Sequence, residues 1–270
     1  MHLVIEPGRA SANYWRDVWR YRELMLFLAW RDLAVRYKQT VIGVLWALIR
    51  PALTMVVFVL FRRLMGVERG PVPDVLFVLA AVLPWQFFAN ALSESSNSLI
   101  NNTNLISKVY FPRLIVPAAA VATAFVDFLV SLALLAAVMA WEGVGPSWTL
   151  LMLPAFAALT FALSSGVGVL LAALNVQYRD FRYIVPFIIQ IGLFVSPIAF
   201  ASSNVPERWR PLYFLNPLVA LIDGFRWSIL GGRTAVDPAS LWSAVVLTTA
   251  CVAIGTWYFR RVERRFADLI

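Results

Sequence analysis

The chain has 270 residues, of which 61% are hydrophobic and 14% charged, with a mean hydropathy of +0.75 and a formal net charge of +8. Soluble domains run at about 45–50% apolar and about 25% charged residues, so a water-soluble globule is excluded and the composition is that of a polytopic membrane protein. The cations lie between apolar runs, which ties them to membrane orientation and anionic headgroups and sets nucleic acid aside as a partner.

The lone histidine, His2, and the lone cysteine, Cys251, leave no intrachain disulfide and no His-containing metal or catalytic cluster to expect. No cleavable signal peptide is expected either, because the first apolar run follows a polar and aromatic stretch. From Tyr14 to Lys38 that stretch alternates aromatics with cations: Tyr14, Trp15, Arg16, Trp19, Arg20, Tyr21 and Arg22, then Trp30, Arg31, Arg36, Tyr37 and Lys38. Rings at headgroup level beside cations predict an interfacial amphipathic helix or pair of helices within residues 1–40, serving as a membrane anchor or as a docking surface for a soluble partner.

Residues 41–260 form the transmembrane domain, with about six spans expected near 41–61, 75–92, 114–141, 150–174, 184–200 and 239–259. An even number places both termini on one side. The cations cluster there, from Arg9 to Lys38, at Lys108 and Arg113, at Arg179 and Arg182, and in the basic tail 261–270, so both termini are expected to be cytoplasmic. The expected fold class is an all-α integral membrane protein.

The first span carries Arg50 near its middle, followed by Pro51. A charge at mid-bilayer costs about 2.5–3.5 kcal/mol on insertion scales, so Arg50 is expected to face the bundle interior, a partner or a wet cavity, or to snorkel from an off-centre site. Pro51 removes a helical donor and frees carbonyls that something must satisfy. Asp127, the clearest acid inside a span, is expected to be hydrogen-bonded within the bundle or paired with a neighbour such as Arg50.

Between the second and third spans, Ser93 to Arg113 is polar but keeps Leu99, Ile100, Leu105, Ile106 and Val109. That spacing predicts one or two short amphipathic helices broken near Asn101 and Asn102 and ended by Phe111-Pro112. The segment is either a solvated loop or a coupling element against a cytoplasmic partner. On the opposite face, LVALIDGFRWSIL (218–230) is too short to span and holds Asp223 and Arg226 at a helical i,i+3 spacing. With Ser196-Pro197 it predicts a re-entrant helical hairpin, acting as a lid.

The sequence contains no GxxxxGK[ST] phosphate loop, no HExxH, no GxSxG and no internal repeat of broken helices. The energy for any transport must therefore come from a partner subunit. The spans are rich in aromatics, among them Trp46, Phe58, Trp85, Phe87 and Phe88. Most such rings pack in a core or face lipid. As a set with Arg50 they also suit a channel for a sugar chain, in which many weak contacts let a polymer slide.

Three stretches, LAWRDLAVRYKQTVIGVLWALIRPALTM (28–55), LPWQFFANALSESSNSLINNTNLISKVYFPR (83–113) and the pair NVQYRDFRYIVPFIIQ and LNPLVALIDGFRW (175–227), resemble the permease subunit of type-2 ABC exporters. More narrowly they resemble the branch that exports O-antigen, teichoic acid and related polysaccharides. The resemblance implies a homodimer of permeases in the bacterial inner membrane, two cytoplasmic ABC ATPase subunits, and a lipid-linked glycan as cargo. ATP and Mg would be bound by the partner subunit, leaving no cofactor in this chain. It further implies ATPase contacts at Arg31, Arg36 and Lys38, at Asn101, Asn104, Lys108 and Arg113, and at Tyr178, Arg179 and Asp180. A periplasmic gate is implied at Asn216, Pro217, Asp223, Arg226 and Trp227. Arg50 stands where relatives often carry a neutral residue, and it either lines the channel or pins two helices. The rivals are an exporter of a small amphiphile such as a drug or lipid, a membrane-embedded transferase and a passive channel.

Overall fold

The computed structural model describes residues 14–38, 43–66 and 72–266, and every regular element in them is helical. Two helices precede the bundle, α1 (Tyr14–Arg20) and α2 (Arg22–Lys38). They fit the interfacial pair expected from the alternating rings and cations, with Trp15, Trp19, Leu26, Phe27 and Trp30 exposed. The inner side of α2 buries Leu28 and Ala29 against α6.

The bundle comprises α3 (Trp46–Leu64), α4 (Asp74–Asn101), the short α5 (Thr103–Lys108), α6 (Ile115–Trp141), α7 (Leu153–Gln177), α8 (Phe181–Val195), α9 (Arg210–Tyr213), α10 (Pro217–Ile229) and α11 (Pro238–Val262). Five segments are long and apolar enough to cross a membrane: Gly43–Leu64, Asp74–Asn101, Ile115–Trp141, Trp148–Gln177 and Pro238–Arg265. The segment expected to span over 184–200 is instead the 15-residue α8 followed by bends. At 1.5 Å per residue it is about 22 Å long, short of a hydrocarbon core of about 30 Å. Pro197 explains the stop, because it drives Ser196 into extended backbone (ψ 149°).

α4 is the central helix, with 17 of its 28 residues buried. It packs against α3, α6, α7, α8 and α10. It also runs a full nine residues beyond the expected end at Leu92. Within Ser93–Ser98 the serine hydroxyls bond back to the preceding turn, as Ser96 Oγ to the Ser93 carbonyl (3.0 Å) and Ser98 Oγ to the Ser95 carbonyl (2.7 Å), so these polar groups are satisfied inside the bundle. Their small size also admits α7, whose Gly168 sits so close that a Cβ there would lie 2.8 Å from Ser95 Oγ. The break at Asn102 and the short α5 match the sequence reading.

Two main apolar cores result among the described residues, with a small third cluster of Leu92, Leu171 and Val185 joining α4, α7 and α8. The larger lies among α4, α6, α7 and α10. The second gathers at the end of the bundle that carries both described termini, where Leu28 of α2, Leu99 of α4, Ile106 of α5, Phe111, Ala172 of α7, and Phe259 and Phe266 meet. α7 and α11 approach most closely: a Cβ on Gly166 would fall 2.6 Å from the Val252 backbone nitrogen, and one on Gly255 would fall 2.2 Å from the Gly166 carbonyl oxygen.

Candidate functional site

A pocket of about 270 Å³ opens between α2, α3, α4 and α6. Trp46, Arg50, Gln86, Asn90, Asp127 and Ser131 line it, together with Arg36 and Tyr37 from α2. The position of α2 on α6 brings Arg36 into the bundle, where its guanidinium pairs with Glu94 at 2.7 Å and with Asp127. Tyr37 Oη donates a second hydrogen bond to Asp127. Burial, reinforced by that carboxylate, pushes the Tyr37 phenol above its ordinary value, so it remains a donor at neutral pH. Asp127 is thus held by α2, and Arg50 takes no part.

Arg50 lines the pocket with an exposed side chain that has no hydrogen bond or ion pair to a described residue. Only its backbone is engaged, through Thr54 Oγ1 donating to the Arg50 carbonyl (2.9 Å), and Gln86 Nε2 donates in turn to Thr54 Oγ1 (2.9 Å). The pocket therefore offers Arg50, a cation with no ion pair to a described residue, together with amides from Gln86 and Asn90 and the half-open indole of Trp46, which is 42% exposed. Such a wall can bind hydroxyls and sugar faces weakly, and it can attract an anion.

Of the other rings named for a channel, Phe87 also lines this pocket from within a ring cluster, while Trp85, Phe58 and Phe88 lie in packing. Phe87 is 2% exposed and sits in a ring cluster with Phe125 and Phe128, each 5.4 Å away between centroids. Trp85 is buried against α8, where a Cβ on Gly192 would lie 2.6 Å from the indole. Phe58 and Phe88 are half-buried against the main core.

At the end carrying the described termini, Asn101, Asn104 and Lys108 project from the α4–α5 corner, and Tyr178, Arg179 and Asp180 form the exposed α7–α8 turn. Lys38 is exposed at the end of α2. Arg31 and Arg113 turn inward. Arg31 donates to Asn102 Oδ1 (2.8 Å), joining α2 to that corner, and pairs with Asp32 (2.7 Å). The Arg113 amide donates to Glu263 Oε1 (2.7 Å) and its guanidinium to the Glu263 carbonyl, which ties the start of α6 to the end of α11.

At the opposite end, Arg226 is 1% exposed and its fork reaches three main-chain carbonyls: Phe77 (3.1 Å), Phe200 (3.2 Å) and Ile198 (3.0 Å). Asp223 pairs with it at 3.6 Å, and the Phe77 ring lies 3.6 Å below it. Arg62, from the end of α3, grips the Ala199 carbonyl (2.6 Å) and Asp74 (3.0 Å) over the same ring. Two guanidiniums thus hold the bends after α8. Asn216 caps α10 by accepting the Leu218 amide (3.1 Å), with Pro217 in its first turn, and Trp227 packs edge-on against Trp148 (5.7 Å).

Sequence reasoning missed Arg62, Asp74, Glu94 and Glu263 as network members. Arg62 and Asp74 had a readable signal, since they flank a short turn between two apolar runs and can meet across it.

Helices of this length and hydropathy, packed on apolar cores beside a charged pocket, define an all-α integral membrane protein. The family model described as "ABC-2 type transporter" matches residues 23–230, most of the chain, and the protein belongs to that family. It is similar to the O-antigen export system permease protein RfbA of Klebsiella pneumoniae, 29% identical over 253 residues that cover 92% of this chain and 95% of the relative. It is similar also to the protein of the same name from Myxococcus xanthus, 28% identical over 259 residues, or 94% of this chain and 98% of the relative. A second Klebsiella pneumoniae protein of that name is 27% identical, with 92% and 95% covered.

Proposed function

We propose that the chain is the transmembrane permease subunit of an ATP-driven polysaccharide exporter, moving a lipid-linked, O-antigen-like glycan from cytoplasm to periplasm. The observation that carries this is the near end-to-end likeness to permeases named for O-antigen export. The pocket agrees with it, because an arginine with no ion pair to a described residue, two amides and an indole suit weak, repeated contact with a glycan.

The chain has no catalysis of its own in this reading. Two cytoplasmic ATPase subunits bind ATP and Mg and dock on Asn101, Asn104, Lys108 and the Tyr178–Asp180 turn, with Arg31 and Arg113 holding that surface in place. The cation-rich end is cytoplasmic and the membrane is the bacterial inner membrane. Two permeases assemble through α3, which buries only three of its 19 residues within one chain. The α10 region, locked by Arg62 and Arg226, is the periplasmic gate.

Reconstitution of the chain with its ATPase and a lipid-linked glycan in vesicles tests this. Nucleotide-dependent appearance of glycan on the far side supports the reading. Transport of small amphiphiles in place of glycan overturns it, as does glycan passage without nucleotide.

A further inference from the structure

The ends of α7 and α11 enclose a second, smaller cavity of about 190 Å³ that the exporter reading leaves unused. Its walls are Gln177, Tyr258, Arg261 and Arg265, over the buried Val262. Tyr258 Oη donates to Gln177 Oε1 (2.6 Å), which closes one side, and Gln177 Nε2 donates to Tyr178 Oη (3.1 Å). Arg261 lies in the last turn of α11 and Arg265 in the 3-10 turn that follows it (Glu263–Arg265), and both line this cavity.

Neither arginine makes an ion pair with a described residue. The acid between them, Glu263, is turned away and accepts the Arg113 amide. Arg260 points elsewhere too, its guanidinium 4.8 Å above the Tyr14 ring. Arg261 is stacked 5.5 Å from the indole of Trp257, and that indole is 59% exposed on the outside of α11. An exposed tryptophan at the end of a span marks headgroup level, and basic notches between helices at that depth bind anionic headgroups.

We infer that this notch is a binding site for the phosphate of an anionic phospholipid, held by Arg261 and Arg265 with Tyr258 at its side. Two guanidiniums present paired N–H donors that match phosphate oxygens. The Trp257 ring covers the glycerol and upper acyl region. The lipid fills the junction between α11 and the exposed α7–α8 turn, so it braces the turn carrying Tyr178–Asp180. The binding itself does not depend on what is exported; only the assignment to the cytoplasmic leaflet rests on the orientation proposed above.

Native mass spectrometry of the full chain with its ATPase, released from nanodiscs of phosphatidylcholine and phosphatidylglycerol, tests the site. The wild type is expected to retain phosphatidylglycerol over phosphatidylcholine. R261Q/R265Q is expected to reduce that retention at least tenfold, while R264Q, outside the notch, leaves it unchanged. R265Q alone gives an intermediate loss and serves if the double variant does not assemble, since that side chain makes no hydrogen bond or ion pair with a described residue. Equal retention of phosphatidylglycerol by wild type and variants overturns the site. So does retention of a prenyl phosphate from the membrane in place of phospholipid, or loss of the ATPase with lipid retention unchanged, which would make the notch a protein contact. Export is not read, so failure here and failure of the exporter reading are separate results.

Discussion

Arg226 and Arg50 show how burial decides what an arginine in an apolar helix is for. Arg226 satisfies three carbonyls and one carboxylate in a dry site, so removing it leaves Asp223 buried and those carbonyls without their partner. Arg226→Leu should therefore cost about 3–5 kcal/mol, read as a large fall in the thermal unfolding midpoint of the purified protein. Arg226→Lys should recover little, because one ammonium cannot fork to three acceptors. Arg50 holds nothing through its side chain among the described residues, so Arg50→Gln should move stability by no more than about 0.5 kcal/mol. If Arg50 contacts cargo, the same variant should slow export; unchanged export would remove it from the pathway. The pairing of Asp127 was not legible in the sequence. Its partner, Arg36, belongs to an interfacial helix 91 positions away, and nothing in the local pattern of either segment states that α2 lies on α6.

At the scale of elements, the spans were legible because continuous apolar runs of sufficient length have few other uses. Where the reading fell short, small polar residues were the reason. Ser93–Ser98 look like a loop by composition, yet back-bonding satisfies their hydroxyls within the helix and their size lets α7 approach. The α8 run is apolar to Phe200, but Pro197 ends the helix before the run ends. The α7–α11 contact depends on Gly166 and Gly255, so Gly166→Leu should destabilise by about 1–3 kcal/mol or prevent assembly, seen as a lowered midpoint or loss of the monodisperse species. Gly145, which has open space around its Cβ position, should accept alanine without effect. The α4–α5 corner, by contrast, is exposed at Asn104 and Lys108. Substituting Asn104 and Lys108 by alanine should leave the fold intact and weaken association with the ATPase, measured by co-purification. Wild-type recovery of the complex would remove α5 from the coupling surface.

For the whole molecule, the two ends of the bundle are built differently, and that asymmetry fits a device driven from one side. The end with the described termini joins α2, α5, α7 and α11 through an apolar core, with exposed polar corners around it. The opposite end is clamped by Arg62 and Arg226 on the bends after α8. Between them lies the pocket lined by Arg50, beside the sparsely buried α3. α4 runs between the two ends, from Asp74 in the clamp to Asn101 at the other end. The composition and motif order made the membrane class and transport family legible, whereas the clamp was not, because each of its carbonyl contacts joins segments far apart in the chain.

The most direct test is to remove this chain from cells and determine which leaflet of the inner membrane holds the lipid-linked polysaccharide. The account predicts accumulation in the cytoplasmic leaflet with none at the cell surface, restored by the wild-type chain. Normal surface polysaccharide with no cytoplasmic accumulation, in cells without a second exporter, would contradict it.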